Sequence, residues 1–447
     1  MSLSGNRTFV GFGFGAIQAG LFLYEAYRSG NFRRLVVAEV QPGLVKALRD
    51  SSGRFAVNVA HPDHIEAHEI GPVEVANPET PEGQEFLAQC IAEADEIATA
   101  LPSVRFFATA SPGSIHRILA EGLTRKAASA GPPAVIYAAE NHNTAAELLE
   151  EAVLSAIPKD QHRKVRSRVR FLNTVIGKMS GVVVDPEEMR SRHLTPILPH
   201  GDRAFLVEEF NRILISRIHF DDPSFAFHRG IAVFEEKDHL LPFEEAKLYG
   251  HNATHALAAY LGAIRGAKQI ADLKQLPGIF EFLGAAFIHE SGAALIAQNH
   301  GEDPLFTPEG FRDYAEDLLA RMFNPYLGDT VERVGRDAAR KLAWDDRLIG
   351  TIRVGLRNGI AMSRFGFGAA AAAAVLDPAI LHSKATLELV LAPIWDHASP
   401  DPNEKRNVLR VVEEGWEKLK LWQDRQFPHL ESFMKESRQA SDYNERN

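Results

Sequence analysis

Cysteine is almost absent from this chain: Cys90 is the only one among 447 residues. A single cysteine excludes an intrachain disulfide and any zinc site built from several thiolates. Domains that depend on disulfides are therefore excluded, and a reducing compartment, the cytoplasm, is expected. The first seven residues are polar and lack the apolar core of a secretory signal, so no export is expected.

Positive charge and long apolar runs are also scarce. Lys and Arg total 49 against 59 Asp and Glu, which gives a net charge of -10. Nucleic acid is not expected as the main partner, because a phosphate backbone attracts clustered basic residues. Charged residues interrupt the apolar stretches before about 18 positions, so no membrane span is expected. The oligomeric state stays open.

Strand-like and helix-like segments alternate in the first half of the chain. Short apolar runs cover residues 8–12, 33–40, 96–101 and 133–138, and helical patterns cover 16–28, 44–51 and 144–157. Strand, helix and strand in this order predict an α/β domain with a doubly wound parallel sheet of the Rossmann type. The weaker pattern over residues 56–77 indicates an antiparallel excursion.

Helical periods dominate after about residue 240. They cover residues 244–265, 280–299, 308–321, 330–342 and 369–375, and no strand pattern stands out there. The run Phe365-Gly-Phe-Gly368 has no strand before it and is interpreted as helix packing. We therefore predict a dinucleotide-binding domain over residues 1–235 and an all-helical domain over 236–447 that binds substrate.

A glycine-rich loop follows the first predicted strand and opens the first predicted helix. It reads Gly13-Phe-Gly15-Ala16-Ile17-Gln-Ala-Gly20. Glycine permits the tight turn and lets the backbone approach a pyrophosphate, which then lies at the positive end of the helix. Glu39 ends the second strand, where an acid binds the hydroxyls of the adenosine ribose. Because this acid repels a 2′-phosphate, NAD is expected as the cofactor rather than NADP.

Three polar residues share one side of the first helix of the second domain. At the α-helical spacing of about 100° per residue, Lys247, Asn252 and His255 fall within roughly 140°. The residues after His255 are almost all apolar, so this arc faces a partly dry site. Loss of solvation lowers the pKa of a lysine toward the range of a useful general base. A solvent-seeking lysine beside a hydrogen-bonded histidine is the alternative at this point.

The spacing of these residues resembles the Lys-x4-Asn-x2-His signature of the polyol-specific long-chain dehydrogenases. The glycine loop is similar to the family's loop, and further similarities run from about residue 9 to about residue 375. They include Ala138-Ala-Glu140-Asn141, Phe171-Leu-Asn173, Glu290-Ser-Gly-Ala and Phe323-Asn-Pro-Tyr-Leu-Gly-Asp-Thr-Val-Glu-Arg333-Val-Gly-Arg336. The last stretch is most similar to the members that act on mannitol 1-phosphate.

This resemblance implies an NAD-dependent reaction in which no metal takes part. Lys247 would take the hydroxyl proton as hydride leaves for the nicotinamide. Asn252, together with Asn173, would stabilise the developing oxyanion, and His255 would hold a neighbouring hydroxyl. The cofactor would contact Gly13, Gly15, Ala16, Ile17, Gly20, Glu39, Thr99, Ala100, Glu140 and Asn141.

A one-sided basic cluster is expected in the predicted helix over residues 330–342. Arg333, Arg336 and Arg340 are spaced to line one face, and Lys341 lies close to it. Because arginine forks match phosphate oxygens in two-point contacts, these residues would form an anion-binding wall. The resemblance of this stretch to the members that act on mannitol 1-phosphate implies a phosphorylated hexitol as substrate, with fructose 6-phosphate as the ketose. Pairing of the cluster with nearby acids is the alternative.

Other functions stay open on the sequence alone. Unphosphorylated mannitol, an aldonate or a hexuronate are alternative substrates, and a hydroxyacid-type dehydrogenase has a similar build. An NAD-binding regulator without catalysis is disfavoured, because it would need no base such as Lys247.

Two further clusters of polar residues are not assigned to the reaction. His61, His64 and His68 have the spacing of neither a metalloprotease helix nor a zinc finger, and we interpret them as a solvated turn. Glu208 and Glu209 follow an apolar strand and either shape the site or lie at a solvated edge.

Overall fold

The chain divides into two units, Met1–Leu241 and Pro242–Asn447, which are described in turn. The computed structural model describes residues 5–222, 227–382 and 384–444. The strands of the first unit are β1 Arg7–Phe12, β2 Phe32–Ala38, β3 Phe55–Ala60, β4 Ile65–Ile70, β5 Glu74–Ala76, β6 Glu96–Thr99, β7 Ala134–Ala138, β8 Val169–Val175, β9 Ser180–Val183, β10 Ala204–Glu208, β11 Ile213–Ser216 and β12 Phe234–Lys237.

Eight of these strands form one sheet in the order β12-β11-β8-β7-β6-β1-β2-β5. All neighbours are parallel except β11 and β8. The part from β5 to β8 has the 3-2-1-4-5-6 order of a dinucleotide-binding fold, whose ligand site lies where β1 and β6 meet. Successive residues of β1, Phe9 and Val10, pack into separate apolar clusters. Both faces of the sheet are therefore buried, and the Rossmann-type prediction is confirmed.

The helices of the first unit flank this sheet in sequence. They are a π-helical segment Gln18–Leu23, α1 Tyr24–Ser29, α2 Pro42–Asp50, α3 Pro81–Glu93, α4 Ile115–Ala128, α5 Ala145–Ser155, α6 His162–Arg166 and α7 Pro186–Ser191, with 3-10 turns at Val104–Phe106 and Lys159–Gln161. α1 ends at Gly30, whose φ of 67° is the left-handed conformation that glycine adopts readily. The helix predicted over 16–28 is present, but π-helical turns begin it.

A second sheet of four strands, β4-β3-β10-β9, lies in the same unit. β3 and β4 form the antiparallel excursion that the sequence indicated, and β10 is the apolar strand predicted before Glu209, whereas β9 was not predicted. The last glycine of the loop, Gly20, lies against this sheet. A Cβ at this position would overlap the Val207 side chain of β10. Gly20 therefore permits the first helix to pack closely on the second sheet.

The regular elements of the second unit are helices in its described residues, as predicted, and one isolated antiparallel bridge joins Gln269 to Thr330. Its elements are α8 Leu241–Glu245, a π-helical segment Ala246–Asn252, α9 Ala253–Ile264, α10 Ile279–Ala286, a π-helical segment Phe287–Gly292, α11 Ala293–Gln298, α12 Pro308–Met322, α13 Val331–Gly335, α14 Ala338–Lys341, α15 Ile349–Arg357, α16 Ser363–Leu376, α17 Lys384–Asp396, α18 Pro402–Asp424 and α19 Leu430–Asn444, with 3-10 turns at Ile270–Gln275, Pro304–Phe306 and Pro378–His382.

α16 is the central helix of the second unit and packs against α9 and α18. Its alanines from Ala369 to Ala373 are fully buried. A Cβ on Gly366 would approach the α18 backbone too closely, and one on Gly368 would overlap Leu257 of α9. The interpretation of the second glycine run as helix packing is confirmed.

One helical run is longer and more apolar than we predicted from the sequence, where charged residues were expected to interrupt every apolar stretch. Ile279–Gln298 has the length and composition of a membrane-crossing helix, and 56% of its most apolar window is buried inside the protein. Glu290, within this run, is also buried. Its carboxylate accepts hydrogen bonds from the backbone N–H groups of Arg364 and Phe365, at 2.9 and 3.0 Å. It thereby caps α16, so this run has the contacts of a core helix.

Candidate active site

The glycine loop lines a cavity of about 640 Å³ in the first unit. Gly13 has a left-handed φ of 87°, and a Cβ there would come within 3.1 Å of the Ala100 carbonyl oxygen. A Cβ on Gly15 would meet no atom within 4 Å, so the backbone is open to the cavity at that point. A loop of this shape before a helix suits a pyrophosphate.

Glu39 lines the same cavity and is nearly buried. Its backbone is fixed by a hydrogen bond from its N–H to the Ala76 carbonyl, and its Oε1 accepts one from the Gln41 N–H at 2.8 Å. The carboxylate is thus held in one orientation at the end of β2. The second oxygen can accept hydrogen bonds from ribose hydroxyls, so the residues present fit NAD.

The ten predicted cofactor residues divide into two groups. Six line the cavity: Gly13, Gly15, Ala16, Ile17, Glu39 and Ala100. Gly20, Thr99, Glu140 and Asn141 do not. Two of these four residues bind each other. The Glu140 carboxylate accepts hydrogen bonds at 2.9 Å from the Thr99 hydroxyl and from the Leu101 N–H, which is a structural contact. Burial raises the pKa of Glu140 to about 7.

The second sheet supplies a wall of the cavity that the sequence did not reveal. Its lining residues are Ser180, Gly181 and Val182 of β9 and Phe205 of β10, and the segment before β10 adds Ile197, Leu198, Gly201, Asp202 and Arg203. No local motif marks them, because β9 and β10 reach the cavity only through tertiary packing.

The Asn173 side chain is hydrogen-bonded to residues of the first unit, in which it lies. It lies in β8, where its Oδ1 accepts a hydrogen bond from the Ala146 N–H at 2.8 Å. Its Nδ2 donates to Glu147 Oε2, also at 2.8 Å. The side chain therefore holds the first turn of α5, and its predicted part in oxyanion stabilisation stays a prediction.

Lys247 lies in the π-helical segment Ala246–Asn252 of the second unit. The sequence reading assumed regular α-helical spacing there, and this was wrong, because π-helical turns take i to i+5 hydrogen bonds. The side chain is partly buried. Burial, with the positive charge of Arg347, lowers the pKa of Lys247 to about 8. Within the described residues no group accepts a hydrogen bond from its ammonium.

Asn252 ends the same π-helical segment, and His255 follows one turn later in α9. His255 Nε2 lies 3.3 Å from Asp329 Oδ2, and both side chains are nearly buried. Asp329 also forms an ion pair with Arg333. Asp329 therefore links two predicted site residues, and the sequence reading missed it although it lies inside a motif already singled out.

The helix predicted over residues 330–342 is broken, which corrects the expected one-sided cluster. α13 ends at Gly335, and α14 begins after Asp337, whose φ of 59° is left-handed. An α-helix cannot continue through such a residue. Arg333, Arg336 and Arg340 therefore do not line one helical face, and Arg333 and Lys341 are not on one side of a common helix.

The members of this basic cluster have different surroundings. Arg340 pairs with Asp346 at 3.1 Å, and the guanidinium of Arg336 is exposed, with no ion pair within the described chain. Lys341 is buried and donates to the Val334 carbonyl at 2.6 Å and to the Arg336 carbonyl. Burial and Arg347 lower the pKa of Lys341 to about 8.

Two further residues of this region, Arg347 and His251, were not among the site residues predicted from the sequence. Arg347 is largely buried, pairs with Asp346 at 2.8 Å and depresses the pKa values of both Lys247 and Lys341. His251 is buried with its ring 6.3 Å from that of His255, and burial lowers its pKa well below the usual range. Its position between Lys247 and Asn252 was the available signal.

Comparison with known protein families covers both units. The model described as "Mannitol dehydrogenase Rossmann domain" matches residues 7–226. The model described as "Mannitol dehydrogenase C-terminal domain" matches residues 239–385.

Two curated relatives carry the same name, mannitol-1-phosphate 5-dehydrogenase. The one from Lactiplantibacillus plantarum is 28% identical over 349 residues, which cover 77% of this chain and 80% of the relative. The one from Neurospora crassa is 31% identical over 344 residues, which cover 76% and 77%.

Two solved structures share the fold at low identity. D-sorbitol dehydrogenase in substrate-free form superposes with a TM-score of 0.72 at 14% identity, over 94% of both chains. Mannitol 2-dehydrogenase of Pseudomonas fluorescens, in a ternary complex with NAD and D-mannitol, gives 0.66 at 15% identity, over 94% of this chain and 93% of the other.

Proposed function

The chain belongs to the mannitol dehydrogenase family and is an NAD-dependent oxidoreductase, and we propose that it interconverts a hexitol phosphate such as mannitol 1-phosphate and fructose 6-phosphate. The names of both curated relatives support this substrate. Bound NAD supplies the hydride acceptor in the direction of alcohol oxidation.

The surroundings of Lys247 are the observation that carries this proposal. Burial lowers the pKa of Lys126 to about 7 and the pKa values of Lys247 and Lys341 to about 8. The ammonium groups of Lys126 and Lys341 each donate to two backbone carbonyls. Lys247 has no such acceptor among the described residues, so its nitrogen is available to a substrate hydroxyl.

We assign the proton transfer to Lys247 on these grounds. A lysine with a pKa near 8 is partly neutral at physiological pH, so it can accept the hydroxyl proton as hydride leaves. The same group, once protonated, returns the proton in the direction of ketone reduction. Arg347 contributes by disfavouring a second positive charge nearby.

Asn252 and His255 would orient the reacting carbon. The Asn252 amide can donate a hydrogen bond to the oxyanion that develops on the substrate. His255 would bind a neighbouring hydroxyl, and Asp329, 3.3 Å from its Nε2, would fix the ring.

Recognition of the phosphate would fall to Arg336, whose guanidinium lies in solvent without a paired acid in the described residues. An arginine can bind two phosphate oxygens at once. Arg333 and Arg340, which are paired with Asp329 and Asp346, would add positive charge only after rearrangement. Lys341 would act through its position beside the Arg336 backbone.

A second candidate substrate is an unphosphorylated hexitol such as mannitol. The pairing of Arg333 and Arg340 with acids favours it, because those ion pairs reduce the net positive charge available to a phosphate.

The test is NADH formation from NAD with mannitol 1-phosphate, mannitol and an aldonate, each at several concentrations. We expect kcat/KM to be highest for the phosphorylated hexitol. Arg336→Ala should raise KM for that substrate about tenfold or more, the loss of one charged hydrogen-bonded contact. Arg312→Ala, another exposed arginine, is the control. Higher activity with free mannitol, or an unchanged KM in Arg336→Ala, would contradict the phosphorylated substrate.

We propose the cytoplasm as the compartment, because a chain with one cysteine in 447 residues suits a reducing environment. Cys90 is fully buried, and burial raises the pKa of its thiol to about 12. The thiol therefore stays protonated and behaves as a small apolar side chain.

A further inference from the structure

The turn between β3 and β4 gathers histidines and acids that the proposed reaction does not use. His61, His64 and Glu66 each present a ligand atom, and these three atoms lie within 4.8 Å of one another. His61 Nε2 is 3.6 Å from Glu66 Oε2, and His68 Nε2 is 3.5 Å from the same oxygen. All of these residues belong to the first unit.

The backbone of the hairpin holds this group together. The His61 N–H donates to the His64 carbonyl at 2.8 Å, which closes the turn. Antiparallel pairing opposes Val59 to Glu66 and Ala60 to Ile65. Glu66 and His68 are two residues apart in β4, so their side chains emerge on the same face. The cluster is thus a product of the hairpin register, which the spacing along the chain does not reveal.

Carboxylates engage the other nitrogen of both turn histidines. Glu209 Oε2 lies 3.0 Å from His61 Nδ1, and Asp63 Oδ1 lies 2.7 Å from His64 Nδ1. A carboxylate on Nδ1 fixes the tautomer in which Nε2 carries the lone pair, and this is the usual outer shell of a metal-binding histidine. Glu209 is itself tied to the hairpin, since its N–H donates to the Ala60 carbonyl at 3.1 Å.

We propose that His61, His64 and Glu66 bind one divalent transition-metal ion of the zinc class, with a water as the fourth ligand. Zinc bonds of about 2.0–2.1 Å in tetrahedral geometry set ligand atoms roughly 3.3 Å apart. The 3.6 Å between His61 Nε2 and Glu66 Oε2 is close to that value. The His61 and His64 rings are stacked with their centroids 4.5 Å apart, so the exposed His64 side chain would turn to bring its nitrogen onto the ion. Two imidazoles with one carboxylate suit zinc, cobalt or nickel, whereas calcium and magnesium prefer oxygen ligands alone.

The ion would cross-link two segments of the second sheet and stabilise it. It would join the β3–β4 turn, and through Glu209 the segment after β10, into one bonded unit. The metal-free reaction assigned to the second unit is unaffected by this proposal, because none of the ligands takes part in it.

Cobalt is the probe that tests the site, because its visible absorption reports tetrahedral coordination. Tag-free full-length protein would be stripped with a chelator and titrated with Co²⁺ alone. We expect one tetrahedral ion per chain, and a higher melting temperature when Zn²⁺ is added to the stripped protein. The matched control is His219→Ala, which removes an exposed histidine of the same unit.

Three variants separate the ligands from their outer shell. His61→Ala and Glu66→Gln should abolish the tetrahedral spectrum, whereas His219→Ala should keep it. Glu209→Gln keeps all ligands, so it should retain the spectrum and weaken the affinity by about 10- to 100-fold. Wild-type protein without a tetrahedral spectrum, or one that survives unchanged in Glu66→Gln, would overturn the proposal. Glu66→Gln and Glu209→Gln keep the side-chain size, so the test does not depend on His61→Ala folding.

Discussion

At the scale of single residues, the ionisation of Lys247 determines the expected pH dependence. Its pKa is lowered to about 8 by burial and by Arg347. Oxidation needs the neutral amine, so kcat/KM for the alcohol should rise with pH and level off above about pH 8. Reduction needs the ammonium, so its rate should fall through the same range. Arg347→Gln should move both midpoints to higher pH, since a positive neighbour is removed.

Replacement of the lysine tests the same assignment. Lys247→Ala should reduce kcat by about 10² to 10⁴, the usual contribution of a general base, and should abolish the midpoint near pH 8. NADH binding, followed by fluorescence, should remain near that of the wild type. Lys268→Ala, an exposed lysine of the same unit, serves as the control. Wild-type turnover in Lys247→Ala near neutral pH would show that another group is the base.

Glu39 determines the expected choice of cofactor. Glu39→Ala removes the acceptor held by the Gln41 N–H at the end of β2. We expect weaker NAD binding and a smaller preference over NADP, because repulsion of the 2′-phosphate is lost. The ratio of kcat/KM for the two cofactors measures this, with the exposed acid variant Glu82→Ala as the control. A wild-type enzyme that uses NADP better than NAD would refute the role of Glu39.

At the scale of elements, the contact between α16 and α18 depends on glycine. A Cβ on Gly415 would overlap the backbone of Gly366, which cannot move away as a flexible side chain can. Gly415→Ala should therefore lower the free energy of unfolding by about 1–3 kcal/mol. Gly284→Ala is the matched control in α10, where the nearest atom to the new Cβ is 3.7 Å away. That variant should be stabilised by about 0.5–1 kcal/mol.

Urea denaturation of both glycine variants gives the comparison. Equal stability changes in the two would mean that helix propensity, and not the close approach of α16 and α18, decides the effect.

The sequence predicted regular elements well and irregular ones poorly. The strands before Glu39 and Ala139 follow from short apolar runs, and the glycine loop follows from its position after β1. The π-helical turn around Lys247 and the left-handed Asp337 were missed, because they leave the hydrophobic period nearly unchanged while they redirect side chains. Contacts such as Asp329 with His255 depend on tertiary packing, which local spacing does not encode.

At the scale of the whole molecule, we propose the division after Leu241 as the boundary of a domain that binds NAD. Every residue in the two apolar clusters of the sheet, and every residue that lines the cavity, belongs to the first unit. Residues 1–241 expressed alone should fold cooperatively and bind NADH, as measured by fluorescence. A fragment that ends at residue 235 would cut β12 at its second residue and should be less stable. Failure of both fragments to bind NADH would argue against an autonomous domain.

The buried alanines of α16 have a genetic consequence. Any alanine codon becomes a valine codon by one base change, and Ala369 to Ala373 are fully buried, so the added methyl groups would enter the packed interior. Such overpacking costs about 1–3 kcal/mol, which a protein tolerates when cool and not when warm. Random mutagenesis followed by selection at two temperatures should therefore find conditional alleles concentrated in this one helix. The same screen should find few in the exposed face of α18.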